Sequence, residues 1–191
     1  MTPRELIAFE KEVAERYNRG EIRGPVHFSG GNEDALIDIF QGAWPIPKDA
    51  WIFSTWRSHY HALLHGVPPE KIMEQIMAGR SMNLNFPEHR FFTSAIVGGI
   101  LPIAAGVAYT GADVYAFVGD MTYTTGIQRE TINFCAGSSI KLVLIVEDNG
   151  MSTNAPTDKA WGTPNWKAPR VQQYKYERQW PHVGSGTFVR F

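Results

Sequence analysis

The sequence has little of what would place it in several large classes of protein. Its 191 residues include a single cysteine, which excludes an internal disulfide framework and is typical of a reducing compartment. The 18 lysine and arginine residues are balanced by 19 aspartate and glutamate residues, so the formal net charge is −1. A nucleic-acid-binding surface would need a clustered basic patch, and the basic residues here are scattered. We therefore expect no nucleic-acid partner.

The sequence also lacks an apolar run long enough to span a membrane, and no signal peptide precedes the first predicted helix. These absences predict a cytoplasmic protein that has no membrane partner. The hydrophobic content of 43% is sufficient for a real core, and residues 1–191 are expected to form one compact domain. The single cysteine, Cys135, lies inside a predicted helix and is expected to be a packed core thiol.

The most informative stretch has a strand, helix, strand pattern between residues 113 and 149. Residues 113–118 and 141–146 are apolar runs typical of buried strands, and residues 126–136 carry apolar side chains at helical spacing. A parallel strand-helix-strand unit places the loops after both strands at one edge of the sheet. Asp120 and Asn149 lie in those loops, so a carboxylate and an amide oxygen should converge there.

This pair suits Mg²⁺ bound to a diphosphate, because Mg²⁺ takes few protein oxygens and leaves its other positions to phosphate and water. Gly126 opens the intervening helix, where unpaired backbone N–H groups favour an anion. The pair alone favours an ordinary α/β unit, since Gly-Asp and Asp-Asn-Gly are common loop sequences.

The spacing resembles the diphosphate-binding motif of thiamine diphosphate enzymes, in which Gly-Asp is followed by Asn about thirty residues later. Here the separation is 149 − 120 = 29 residues, and Gly126, Glu130 and Asn133 occupy matching positions. In detail the chain resembles the alpha chain of the two-chain 2-oxo acid dehydrogenases, shortened at the C-terminus. The resemblance implies an α/β fold of three layers with a mostly parallel sheet, and a family core over residues 19–157.

The same resemblance implies a cofactor site for thiamine diphosphate and Mg²⁺. The metal would be held by Asp120, Asn149 and the backbone carbonyl of Met151. The diphosphate would be held by Trp56, Arg57 and the backbone of Gly119, Asp120 and Met121. The backbone around Ala95 and Val97 would approach the aminopyrimidine. In this sequence Met121, Asp148, Trp56 and Ala95 replace the usual glycine, asparagine, tyrosine and glycine of the family.

Three histidines are candidate catalytic residues by the resemblance. His27 matches an early histidine that lines the active site, and His59 ends an aromatic-Arg-x-His motif whose histidine faces the reacting carbon. His182 corresponds to a histidine in a later loop of the family. Two further histidines, His61 and His65, have the i,i+4 spacing of a zinc-binding pair but lack an evident third ligand. We expect these two histidines at the surface or at an interface.

The activity implied by the resemblance is cleavage of a C–C bond next to the carbonyl group of a small molecule. Oxidative or acyl-transferring decarboxylation of a 2-oxo acid is the expected reaction. The family also uses a glutamate from a separate pyrimidine-binding domain, for which this chain has no room. A beta-type partner chain is therefore expected, in an assembly of two alpha and two beta chains. Two alternatives are a transketolase-like two-carbon transfer and a non-catalytic binding or regulatory relative.

The remaining sequence predicts flanking helices and an aromatic C-terminal segment. Residues 2–5 form a capping box with proline at the first helical position. A helix is expected to begin at residues 54–59 and to run to about residue 65, and residues 80–93 are expected to be irregular. Residues 158–191 are expected to form an interface with another subunit, because tryptophan, tyrosine and arginine are enriched at interfaces. Stacking on single-stranded nucleic acid is the alternative role. Within this segment, residues 171–176 are predicted to form a strand and residues 186–191 an edge strand or docking tail.

Overall fold

The structure is a computed structural model that describes residues 1–162 and 167–187. Its helices are α1 (Pro3–Asn18), α2 (Glu33–Gln41), α3 (His59–Leu64), α4 (Pro69–Met77), α5 (Ile100–Ala108), α6 (Asp120–Tyr123), α7 (Gly126–Gly137) and α8 (Thr157–Trp161). Its strands are β1 (Trp51–Ser54), β2 (Asn85–Phe86), β3 (Phe91–Thr93), β4 (Val114–Gly119), β5 (Leu142–Asp148), β6 (Met151–Ser152), β7 (Ala155–Pro156) and β8 (Val171–Lys175). A 3₁₀ turn, Pro87–His89, joins β2 to β3.

The main sheet has six strands in the order β2-β3-β1-β4-β5-β8. Every neighbouring pair is parallel except β2 with β3. Strand β5 has few exposed residues because helices cover both faces of the sheet there, which explains its nearly continuous apolar sequence. The prediction of a mostly parallel sheet is confirmed.

Two hydrophobic cores lie on opposite faces of the sheet, so the predicted three layers are present. Phe117 and Ile145 face the core that is shared with α1, α2, α3 and α4. The alternating residues Val118 and Val146 face the other core, which is shared with α5 and α7. Cys135 packs in this second core as a buried free thiol, as predicted.

Helix α1 begins where the sequence predicts. Thr2 N–H donates to Glu5 Oε2 at 2.7 Å, and Glu5 N–H donates back to Thr2 Oγ1 at 3.4 Å. This reciprocal pair satisfies backbone donors that a helix N-terminus leaves free. Within the described residues, no helix is both long and apolar enough to cross a membrane.

Two expectations about local structure are wrong. Residues 80–93, expected to be irregular, contain β2 and β3, and β3 pairs in parallel with β1 from Ile52↔Phe91 to Ser54↔Thr93. These strands are only two and three residues long, so their formation depends on pairing with β1 and not on a periodic pattern. Helix α3 begins at His59 and not at Ser54, which leaves Trp56 and Arg57 in a loop.

Much of the aromatic C-terminal segment packs on the chain's own core. The predicted strand is present as β8, and Tyr174 and Trp180 contact the core beneath α1 to α4. Trp161, by contrast, is 59% exposed. The inter-subunit role expected for this segment stays a prediction. Trp166 and most of the predicted 186–191 strand lie outside the described residues.

Candidate functional site

A cavity of about 270 Å³ opens at the carboxyl ends of the parallel strands. Most of its walls come from the segments that follow β1, β3, β4 and β5, as expected for ligand sites in parallel sheets. The lining residues are His27, Trp56, Arg57, Met82, Ala95, Val97, Gly119, Asp120, Met121, Thr122, Asn149, Met151, Ser152, Thr153 and His182. Every site residue implied by the family resemblance belongs to this set except His59.

Asp120 begins helix α6 directly after β4, and only 1% of its surface is exposed. The hydroxyl of Thr157 donates to Asp120 Oδ2, because the β6–β7 hairpin folds back over the carboxylate. Burial raises the pKa of Asp120, the hydrogen bond from Thr157 opposes the rise, and the nearby Asp148 adds to it. A bound cation would relieve this cost of holding the carboxylate charged.

Asn149 and Met151 lie in the turn after β5. The Asn149 side chain accepts from the Met151 N–H through Oδ1 at 3.0 Å and donates from Nδ2 to the Tyr176 hydroxyl at 3.1 Å. Asp148 does not line the cavity, because its oxygens accept from Gly150 N–H at 2.9 Å and from Gln173 Nε2 at 2.7 Å. The carboxylate at position 148 is therefore committed to the turn and to β8.

The donor set at this edge fits Mg²⁺. The residues that line the cavity carry one buried carboxylate, one amide oxygen with a second lone pair and backbone carbonyls, and all of these are hard oxygen ligands. Within residues 1–162 and 167–187, no group of three or more His, Cys, Asp or Glu side chains could hold a metal. A cation here would thus rely on few protein ligands and on its own phosphate and water partners, as Mg²⁺ does.

Trp56 and Arg57 line the cavity from the loop between β1 and α3. Trp56 Nε1 and Arg57 Nε are buried donors that have no hydrogen-bond partner within the described part of the chain. Buried donors are normally paired, so this pair fits an anionic ligand such as a diphosphate. Burial lowers the pKa of Arg57, but arginine remains charged in proteins.

The first turn of α7 does not take part in the cavity. Gly126, predicted to favour an anion, is absent from its lining, because the one-turn helix α6 stands between β4 and α7. Instead the buried Gln128 side chain donates from Nε2 to the Gly98 carbonyl at 2.9 Å. Helix α7 therefore supports the loop that carries Ala95 and Val97 to the cavity.

Two histidines from opposite ends of the chain meet at the cavity. His27 Nδ1–H donates to the backbone carbonyl of His182 at 2.6 Å, and the two rings are 4.9 Å apart at 73°. Burial lowers the pKa of His27 to about 4 and also lowers the pKa of His182, with the positive charge of Arg57 adding to both effects. Both rings are therefore neutral at neutral pH, and His27 keeps Nε2 as a proton acceptor.

His59 is not brought to the cavity, so the expectation that it faces the reacting carbon is not supported by its position. The ring is fully buried against α1, with Nε2 2.9 Å from Ser81 Oγ and Nδ1 3.3 Å from Glu10 Oε1. Glu10 also accepts from the Ser29 N–H at 3.0 and 3.1 Å. In this structure His59 belongs to a buried polar cluster that supports the loop carrying His27.

The expectation that His61 lies at the surface or at an interface is wrong. His61 is fully buried, with Nδ1 2.8 Å from Ser54 Oγ and Nε2 3.2 Å from Glu147 Oε1. It stacks on Phe117 at a centroid distance of 4.2 Å. The i,i+4 pair with the half-buried His65 therefore arises from core packing on the inner face of α3.

The supporting residues Glu10 and Glu147 were not singled out from the sequence. Glu10 follows Leu6 and precedes Val13 on the apolar side of α1, and it is only 1% exposed. A carboxylate on the apolar face of a helix is a signal that a buried donor faces it. Glu147 carried no comparable signal, because it ends a buried strand beside two other polar residues.

The chain matches proteins of known families. The sequence model described as dehydrogenase E1 component matches residues 2–172. The pyruvate dehydrogenase E1 component subunit alpha of Zymomonas mobilis is 27% identical over 168 residues, which cover 80% of this chain and 47% of that protein. The chloroplastic pyruvate dehydrogenase E1 component subunit alpha-3 of Arabidopsis thaliana is 28% identical over 183 residues, covering 84% of this chain and 42% of that protein.

Among solved structures, a putative thiamin diphosphate-dependent enzyme from Mycobacterium smegmatis matches with a TM-score of 0.42 and 20% identity. The match covers 76% of this chain and 24% of that one. The chain spans about half the length of the curated relatives that it matches.

Proposed function

The chain belongs to the dehydrogenase E1 component family, and we propose that it binds the Mg-diphosphate end of thiamine diphosphate in a split enzyme. That enzyme would cleave the C–C bond next to the carbonyl group of a 2-oxo acid, by oxidative or acyl-transferring decarboxylation. The observation that carries this proposal is the single cavity lined by all predicted cofactor residues, from four separate segments of the chain.

Asp120, Asn149 and the Met151 carbonyl are the proposed metal ligands, and together they supply one negative charge and neutral oxygens. Trp56 and Arg57 are the proposed diphosphate contacts, supported by their unpaired buried donors. The cofactor, when bound, would supply the carbon nucleophile and the electron sink for bond cleavage. The chain itself would fix the cofactor in place and exclude water from its diphosphate.

His27 and His182 are the proposed proton-handling residues for the substrate. Their lowered pKa values keep both rings neutral, which suits a proton acceptor or a donor to a carbonyl oxygen. The neighbouring Arg57 guanidinium, 3.1 Å from His182 Nδ1, would stabilise negative charge on a carboxylate substrate.

A beta-type chain is the proposed partner, in an assembly of two alpha and two beta chains. The relatives from Zymomonas mobilis and Arabidopsis thaliana are each named as a subunit alpha. The partner would supply the pyrimidine-binding domain and the glutamate beside the aminopyrimidine. A cytoplasmic location, predicted from the single cysteine, is part of the same proposal.

The decisive experiment measures turnover by the 191-residue chain with and without a pyrimidine-binding chain encoded beside its gene. Labelled 2-oxo acids report decarboxylation as released carbon dioxide, and ketose phosphates report two-carbon transfer. We expect carbon dioxide release from a 2-oxo acid only when both chains are present.

Three outcomes would change the proposal. Transfer from ketose phosphates without decarboxylation would replace it by the transketolase-like alternative. Full turnover by this chain alone would show that no partner is needed, and Glu33 would then be the first candidate for the missing glutamate. If calorimetry detects no Mg²⁺-dependent thiamine diphosphate binding by either preparation, the chain is a non-catalytic relative.

A further inference from the structure

Strand β8 and the residue that follows it contact the end of β5 and the start of the turn that carries two of the proposed metal ligands. It lies parallel to β5, with Glu147 opposite Tyr174 and Asp148 opposite Lys175. Gln173 donates to the Asp148 carboxylate, the Tyr174 hydroxyl donates to Glu147, and the Tyr176 hydroxyl accepts from Asn149. The three consecutive residues 147–149 are thus each held by a different side chain from β8 or the residue that follows it.

The contact with Asn149 differs from the other two because it involves the side chain of a proposed metal ligand. Only the amide oxygen can bind a cation, whereas the NH₂ group would repel it. In the observed orientation, the NH₂ group donates to Tyr176 and Oδ1 accepts from the Met151 N–H. A flipped amide would place its NH₂ group against the Met151 N–H, so the Met151 contact determines which end of the amide is the oxygen. The Tyr176 hydroxyl accepts from the other end of the amide and restrains its rotation.

The Tyr176 ring is held in place independently of its hydroxyl. Its backbone N–H donates to the Asp148 carbonyl at 3.0 Å, and its ring lies 5.8 Å from the Tyr174 ring at 39°. Replacing Tyr176 by phenylalanine should therefore keep the ring and remove only the acceptor for Asn149. Tyr176 also lies beyond residue 172, where the match to the family ends.

We propose that Tyr176 is a positioning residue that orients the Asn149 amide, so that its oxygen faces the cation site of this chain. The inference rests on the proposed function, since it concerns a ligand of the proposed magnesium site. It assigns to the C-terminal segment a role in cofactor affinity in addition to its packing on the domain. Removal of a residue that hydrogen-bonds to a metal ligand commonly lowers metal affinity by about 10- to 100-fold.

The test is calorimetry of thiamine diphosphate binding to the full chain over a range of Mg²⁺ concentrations. We expect Tyr176→Phe to weaken Mg²⁺-dependent binding by about 10-fold or more and to raise the Mg²⁺ concentration that is required. The matched control is Tyr174→Phe, which removes a hydroxyl from the neighbouring ring but has no hydrogen bond to Asn149. Tyr174→Phe should keep the affinity for thiamine diphosphate within about threefold of wild type. This should hold even if Tyr174→Phe lowers thermal stability as much as Tyr176→Phe does.

A second arm tests the orientation itself with Asn149→Asp. A carboxylate presents an oxygen to the cation whichever way it turns, so Tyr176→Phe should lose most of its effect in that background. Equal affinity of wild type and Tyr176→Phe would overturn the proposal. So would equal losses in Tyr176→Phe and Tyr174→Phe, or an unchanged Tyr176→Phe effect in the Asn149→Asp chain. Absence of Mg²⁺-dependent binding by the wild-type chain would instead overturn the proposed function, and this inference with it.

Discussion

Arg57 and His182, 125 residues apart in the sequence, are joined by a hydrogen bond of 3.1 Å between Nη2 and Nδ1. The same guanidinium nitrogen lies 3.4 Å from the His182 carbonyl. The C-terminal segment therefore contacts Arg57, a residue that is proposed to bind the diphosphate, directly. Arg57 Nε is buried and has no such partner among the described residues, so this nitrogen remains for an anion.

Arg57→Lys should weaken thiamine diphosphate binding, because an ammonium group retains the charge but cannot reproduce the planar fork. Loss of one charge-assisted hydrogen bond corresponds to about 1.5 kcal/mol, or about tenfold in Kd. Calorimetry with Mg²⁺ present measures the change. An unchanged Kd combined with slower turnover would place Arg57 on the substrate instead of the cofactor.

Asp120→Asn should remove the Mg²⁺ dependence of cofactor binding while the fold is retained. Asparagine keeps an oxygen that can accept from Thr157 but loses the only charge among the proposed metal ligands. We expect the Mg²⁺-dependent affinity for thiamine diphosphate to fall by at least about 100-fold. This is at or above the upper end of the effect of removing a residue that only hydrogen-bonds to a metal ligand. Asn149→Ala should act in the same direction more weakly. Wild-type affinity in Asp120→Asn would show that the cation binds elsewhere.

His27 should make the free energy of unfolding depend on pH. The unfolded ring takes up a proton below its ordinary pKa of 6.5, whereas burial keeps the folded ring neutral down to about pH 4. The unfolded state thus binds more protons in this interval, so stability is complete above pH 6.5 and falls as the pH is lowered. The loss amounts to at most about 3 kcal/mol.

Urea unfolding at several pH values, compared between wild type and His27→Asn, isolates this contribution. Asparagine retains a donor for the His182 carbonyl and does not titrate, so the variant should have a flatter pH profile. His89→Asn, which changes a histidine away from the cavity, is the control and should keep the wild-type slope. Parallel profiles for wild type and His27→Asn would contradict the burial of a neutral His27.

Glu10 and Glu12 provide a matched pair on helix α1. Glu10→Ala leaves the Ser29 N–H and the His59 ring without their carboxylate and should lower the free energy of unfolding by about 3 kcal/mol. Glu12→Ala removes an exposed ion pair with Arg16, which is expected to contribute about 0.5 kcal/mol or less. Chemical denaturation measures both. Similar losses in the two variants would mean that Glu10 does not support the His27 loop.

Gly31→Ala tests how tightly the C-terminal segment packs on the glycine-rich turn before α2. Gly31 has φ of +93°, and an added Cβ would overlap the Glu177 carbonyl oxygen. Gly66 has φ of +90° with open space around it, so Gly66→Ala imposes similar backbone strain, about 1 to 2 kcal/mol, without the overlap. We expect a larger loss of stability and weaker cofactor binding in Gly31→Ala only. Equal effects of the two substitutions would rule out a close packing of this segment.

The sequence predicted the central strands of the sheet and the turns after them better than it predicted the elements around them. Strands β4 and β5 are long and apolar, and the 29-residue spacing of Asp120 and Asn149 follows from the turn positions after them. Strands β2 and β3 were missed because two or three residues carry no period. The positions of His59 and His61 were missed because their partners, Glu10 and Glu147, lie on other elements. No local pattern encodes such contacts.

The order in which the parts of this cavity form during folding follows from the sequence separation of the segments that line it. Its floor, from β4 through β5, is one continuous segment, whereas the His27–His182 contact closes a loop of 155 residues. Local contacts form faster than distant ones, so the metal-binding edge should be in place before the histidine wall closes over it. Native-state hydrogen exchange should accordingly give residues 177–184 lower protection than β4 and β5, in an opening that leaves the sheet intact.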